Sequence, residues 1–212
     1  MSVKPFDWSI IILGRWNQAI LTPAGIAKYL FKVDPQTLEV AVPMDGISPY
    51  KVKCPDSAIV VMTENNLLRI DLSKTDYDTL CNAMKIGVNA LKSLPETPVT
   101  AAGFNVKFHS PDCDSSQFSL VSSEIDDILS DHSNKILSRT INRSLEYKDG
   151  KLNIIILISD NGFDVTFNFH RASKDMNDLV QWLEIPKEEI ESKVIEILSV
   201  LKLEIEETKD DV

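Results

Sequence analysis

Between Ser73 and Ser110 the apolar positions change period once. Tyr77, Leu80, Cys81, Met84, Val88, Leu91 and Leu94 recur at three- and four-residue steps, which puts them on one face of a long helix. Thr75 with Asp78 three residues on reads as its capping box. Pro95 and Pro98 end the helix, because proline has no amide to donate and clashes with the preceding turn. Phe104, Val106 and Phe108 then alternate with Asn105, Lys107 and His109, the period of a strand.

The same patterns place the other elements. Trp8–Trp16 is apolar on both faces, as expected of a central strand covered on both sides. Thr22 caps a helix with Pro23 at its first position, Leu21 stapling onto Ile26, and Ile26, Tyr29 and Leu30 facing the core. Strands follow at Leu38–Val42, Tyr50–Cys54, Ala58–Thr63 and Leu67–Leu72, separated by the turn residues Asp45-Gly46, Pro55-Asp56-Ser57 and Asn65-Asn66. The second half runs from a strand at Val99–His109 through an acidic loop, Ser110–Gln117, to a short helix near Ser122 or Ser123. Its first turn carries Glu124, Asp126 and Asp127. Three strands follow, at Ile136–Lys148, Leu152–Ser159 and Phe163–His170, with Asp149-Gly150 as a hairpin signal. Helices at Met176–Leu183 and, beyond Pro186, to about Leu203 close the chain.

Each half therefore reads as strand, short helix, three-strand meander and closing helix, with Ser73-Lys74 and Ser173-Lys174 near the helix entries. The fold class expected is α+β, with residues 1–95 and 96–204 packed as one unit and 205–212 an acidic disordered tail. This element order resembles the TATA-binding-protein-like folds, which implies two halves sharing one sheet with helices on one face. A helix-grip arrangement in each half is the competing architecture, and neither implies an activity.

Composition narrows function from the other side. The 212 residues include 32 acidic and 22 basic ones, a formal charge of −10, so nucleic acid is not expected as a partner. Cys54, Cys81 and Cys113 show no CxxC spacing, and Cys54 and Cys81 read as small buried hydrophobes of a reducing compartment. Ile10–Leu13 is too short an apolar run for a signal-peptide core or a membrane span, so no membrane is expected and the chain reads as cytoplasmic. The glycine-rich nucleotide motifs, the GxSxG nucleophile elbow and HExxH are all missing. Seven glycines make a phosphate-cradling loop improbable, so no cofactor is expected.

The candidate chemistry sits on strands. His109 and His170 end strands on the side opposite the phenylalanines, beside Asn105 and Asn168, where they could serve as acid, base or ligand, or form part of a solvated sheet face. His109, Asp112, Cys113 and Asp114 cluster in one loop, but zinc sites usually pair their ligands, so no metal is expected. Arg139 and Arg143 share a strand face with Leu137, Ile141, Leu145 and Tyr147. They need carboxylates or an anionic ligand if covered, and otherwise mark an edge strand. Ile155 and Leu157 point opposite to Ile154, Ile156 and Ile158, as Ile59 and Val61 do to Val60 and Met62. If helices cover one face only, these four form an interface band on the other; the alternative is a sheet covered on both sides.

Two functions are compatible with this pattern. The first is a non-enzymatic binding or assembly subunit that engages a protein partner, or itself as a homo-oligomer, through a partly apolar sheet face. The second is an enzyme or small-molecule-binding protein, which requires His109 and His170 to meet in one cavity.

Overall fold

The computed structural model describes residues 2–45, 49–112, 119–132 and 134–206. Eleven strands form the sheet: β1 (Ser2–Pro5), β2 (Ser9–Gly14), β3 (Glu39–Ala41), β4 (Lys51–Cys54), β5 (Ile59–Thr63), β6 (Leu67–Leu72), β7 (Val99–Ser110), β8 (Ser138–Tyr147), β9 (Gly150–Ser159), β10 (Gly162–Ala172) and β11 (Glu204–Ile205). Their spatial order is β3-β4-β5-β6-β2-β7-β10-β9-β8, with β1 beside the end of β7 and β11 beside β1. Each meander thus returns its last strand, β6 or β10, to the strand that preceded it. β2 and β7 meet antiparallel at the centre, from Ser9 opposite Asn105 to Leu13 opposite Ala101. The sheet is continuous across the Pro95–Pro98 connection.

Among the elements described in full, five α-helices flank it: α1 (Pro23–Ile26), α2 (Tyr77–Ser93), α3 (Glu124–Asp131), α4 (Met176–Leu183) and α5 (Lys187–Val200). The class is α+β, and the core lies between the helices and one sheet face. Trp8, Phe104, Phe108, Phe163, Phe167 and Phe169 are all fully buried there. Phe104 stacks on Phe169 at 4.6 Å between centroids, and Trp182 of α4 tilts against Phe104 at 6.4 Å. Gly87 lets α2 approach the sheet closely. A Cβ at that position would lie 3.0 Å from Leu183 and 3.2 Å from Ile12.

Local signals explain the helix ends with one correction. Thr22 caps α1, its Oγ1 accepting from the Gly25 amide at 3.2 Å, and α1 continues as a π-helical turn over Ala27–Phe31. For α2 the cap is Asp76, not a Thr75–Asp78 box. Its carboxylate accepts from the Thr79 amide at 2.8 Å and the Thr79 hydroxyl at 3.0 Å, while Thr75 donates to the Pro5 carbonyl. An aspartate one residue later offers the same acceptor with a full charge, and the strand β1 claims the threonine. Such a cap is worth about 1 kcal/mol.

The buried face of α2 is also wider than one stripe. Ala83, Ile86, Gly87 and Ala90 are buried with Leu80, Met84, Val88 and Leu91, whereas Cys81 is only half-buried. The reason is a second packing partner: Asn89 donates to the Leu30 carbonyl at 2.9 Å and Ser93 to the Tyr29 carbonyl at 3.2 Å, tying α2 to the π-helical turn. Nor does the chain fray after α5. Glu204 and Ile205 pair in parallel with Ser2 and Val3, and Lys4 meets Glu206 at 2.9 Å. Residues 207–212 lie outside the described residues.

Candidate functional site

Side chains alternate across a strand, so the residues between the buried phenylalanines share the opposite sheet face. That face is open, and the expectation that the apolar central strand is covered on both sides is corrected. Ile11 of β2 is half-buried and Leu13 is 39% exposed. Asn105, Lys107 and His109 of β7 are half-buried, as are Asp164, Thr166, Asn168 and His170 of β10.

Cross-strand register assembles these residues into rows. Ser9, Asn105, Asn168, Asn153 and Ser144 stand opposite one another on β2, β7, β10, β9 and β8. They form one hydrogen-bonded chain. Asn105 Nδ2 donates to Ser9 Oγ at 3.2 Å, Asn168 Nδ2 to Asn105 Oδ1 at 2.8 Å, and Asn153 Nδ2 to Asn168 Oδ1 at 2.8 Å. Ser144 Oγ closes it by donating to Asn153 Oδ1 at 2.6 Å. Each amide spends one N–H and one lone pair on its neighbours, leaving a donor and an acceptor for the outside. The members are fixed in orientation by one another, so a partner binding here orders little further side-chain motion.

Charged groups flank the row. Asp7 meets Arg69 at 3.6 Å and also pairs with Lys107, and Arg69 Nε donates to Asp71 at 2.6 Å. His109 Nδ1 lies 2.7 Å from Asp164 Oδ1, with the Phe6 ring edge-on to the imidazole at 5.6 Å. Lys51, Lys53, Arg69, Lys107 and Lys151 share this face with Glu39, Asp71, Glu146 and Asp164, so its charge is nearly balanced. The acidic excess of the chain lies elsewhere.

The structure brings Asn105 and Asn168 together and keeps the two histidines apart. His109 sits opposite Asp164, and His170 lies six residues further along β10, roughly 20 Å at the rise of an extended strand. Among the described residues the two do not meet. His170 stands opposite Gly103 and Lys151. Burial first, and then the Lys151 charge, hold its pKa below the ordinary 6.5. A base whose folded pKa is depressed disfavours the protonated fold. Stability should therefore be full above the unfolded value and fall as pH drops from about 6.5 towards the lower folded value. An NMR titration should place the His170 midpoint below that of an unfolded control; a midpoint at or above it would contradict this environment.

Arg139 and Arg143 belong to the helix side of β8, opposite Ile158 and Ile154. Arg139 Nε donates to Asp126 of α3 at 2.6 Å, and Arg143 donates to the Asn142 carbonyl at 2.9 Å. Ile155 and Leu157 lie on the open face beside Thr166 and Asp164, half-buried. Ile59 and Val61 do not: both are fully buried core residues opposite Leu72 and Ile70, and Val60 and Met62 take the open positions. The neighbouring strand carried the signal, because Val60 faces Asp71 and Met62 faces Arg69. Asn153, missed from the sequence, had a signal too, a lone amide within an isoleucine-rich run. Of the loop cluster, Cys113 and Asp114 lie outside the described residues.

No protein-family model and no curated protein matches the chain. Among solved structures it is similar to a Methanococcus jannaschii TBP, at 11% identity and a TM-score of 0.27, over 95% of this chain and 99% of that one. At that identity and score the likeness carries no argument about this chain. The exclusion of nucleic acid, drawn from the net charge of −10, is withdrawn, because it rests on a sum over the whole chain. Its physical weakness is visible on the sheet: a partner senses the local field, and the open face does not share the charge of the whole chain.

Proposed function

We propose that this chain is a non-enzymatic cytoplasmic binding subunit that engages a protein partner, or a second copy of itself, through the open sheet face. The observation that carries the reading is the composition of that face. Ile11, Val60, Met62, Ile155 and Leu157 supply apolar area on either side of an amide row whose members already hold one another in place. Apolar area interleaved with oriented polar groups is the make-up of a protein interface. The separation of His109 from His170 favours no enzymatic alternative. No described helix is long and apolar enough to cross a membrane.

The test compares affinity capture by the wild type and by Ile155→Lys from an extract of the source organism. A protein, or a second copy, held by the wild type and lost with the variant is the expected result. Equal retention by both, or a wild type that is monomeric and holds nothing, would overturn the reading. So would recovery of nucleic acid alone, read from the absorbance ratio of the purified chain.

A further inference from the structure

We propose that two copies of this chain pair edge to edge through β8, antiparallel, about a twofold axis beside Asn142. This surface is the sheet's rim and adjoins the open face, to which Asn142, opposite Ile155, and Ser144 point. β8 ends the strand order, and its ten residues pair with β9 without a break. Among the described residues no backbone hydrogen bond leaves its outer side. Soluble proteins guard such edges with proline, bulges, charged side chains or short length. β8 has no proline and no bulge and at ten residues is long; its charges are Arg139, Arg143 and Glu146, of which Arg139 is already paired with Asp126. The opposite edge, β3, has only three residues, so pairing through β8 closes on itself as a dimer instead of propagating.

The edge is self-complementary in one register of long overlap. A twofold axis normal to the sheet sets one residue opposite its own copy, and all other pairs then share a face. Centring on Ile141 sets Arg139 against the second copy's Arg143, and centring on Arg143 sets that arginine against itself. Like charges directly opposite are unfavourable. Centring on Asn142 avoids both and opposes Thr140 to Ser144, Ile141 to Arg143, Arg139 to Leu145 and Ser138 to Glu146. Centring on Ser144 opposes no like charges but overlaps only residues 141–147, as short as the Ile141 register and two residues fewer than the Asn142 one. Further shifts shorten the overlap again.

That register also covers what the monomer leaves bare. Leu145 is 41% exposed, and on α3 Ile125, Ile128 and Leu129 are 59%, 56% and 40% exposed. Asp126 holds α3 against Arg139. Since Leu145 of one copy lands opposite Arg139 of the other, it arrives beside the second copy's α3. Both ends of β8 gain an apolar neighbour by the same operation, as an isologous interface requires.

Sedimentation equilibrium tests this. The wild type should show twice the chain mass at micromolar concentration. Asn142→Lys and Asn142→Asp should each show the mass of one chain, since each sets like charges across the axis, and their equimolar mixture should regain the dimer. Oxidised Asn142→Cys should cross-link between copies well ahead of Ser144→Cys, an arm that does not depend on the charged variants folding. A monomeric wild type, dimeric lysine and aspartate variants, or equal cross-linking would overturn the proposal. A dimer lost with Ile155→Lys yet intact with Asn142→Lys would also overturn it, while leaving the open-face reading standing.

Discussion

Replacing Phe104 with alanine should cost the fold about 3–5 kcal/mol, the range for deleting a fully buried aromatic ring. Phe104 is 0% exposed at the centre of the sheet, on the strand where the two halves meet. Its ring stacks on Phe169 with 16° between planes and reaches Trp182. Truncation removes the stack and leaves a void bounded by β10 and α4, neither of which can collapse without breaking its other contacts. A domain of ordinary stability has 5–15 kcal/mol in total, so the variant should sit near its unfolding threshold at room temperature. Guanidinium unfolding followed by tryptophan fluorescence measures this. A loss under about 1 kcal/mol would mean that the ring is not the packing centre its burial implies. Asn168→Ala on the open face is the contrast. It breaks two hydrogen bonds, each worth about 1 kcal/mol net, without opening the core.

The second large effect concerns the connection at Pro95–Pro98. A chain cut there should not yield a folded N-terminal piece, and the intact protein should unfold in a single transition. β2 is bonded on one side by β6 and on the other by β7, so loss of residues beyond 95 strips one whole side of the central strand. It also takes away Leu183, which packs where Gly87 admits α2, and the α5 residues that bury beside it. Each exposed backbone pair and each uncovered side chain adds cost to the fragment, which at 95 residues has little surplus to meet it. Limited proteolysis and circular dichroism of residues 1–95 decide the matter. A protease-resistant, cooperatively unfolding fragment ending near Pro95 would show two independent domains in place of one unit.

Where the chain bends and what each segment becomes was written locally. The strand Leu67–Leu72 and the helix Met176–Leu183 have the limits that their apolar periods demanded. Thr22 and Pro23 start α1, because caps and proline rings act on the residues next to them. Which face of a two-sided apolar strand turns inward was decided by tertiary structure. Ile59 and Val61 look like Val60 and Met62 in isolation, and only pairing with Arg69 and Asp71 sorts them. The same holds for the histidines. Each ends a similar phenylalanine strand, and their separation follows from the register that sets His109 against Asp164 rather than near His170. The amide row is the strongest case. Asn105 and Asn168 lie 63 residues apart in the chain and Asn105 and Ser9 lie 96 apart, so no local pattern links them. Periodicity acts over a few residues, whereas register is set by the turns, the buried face and the strand neighbours together. It therefore becomes visible only once the whole sheet has closed.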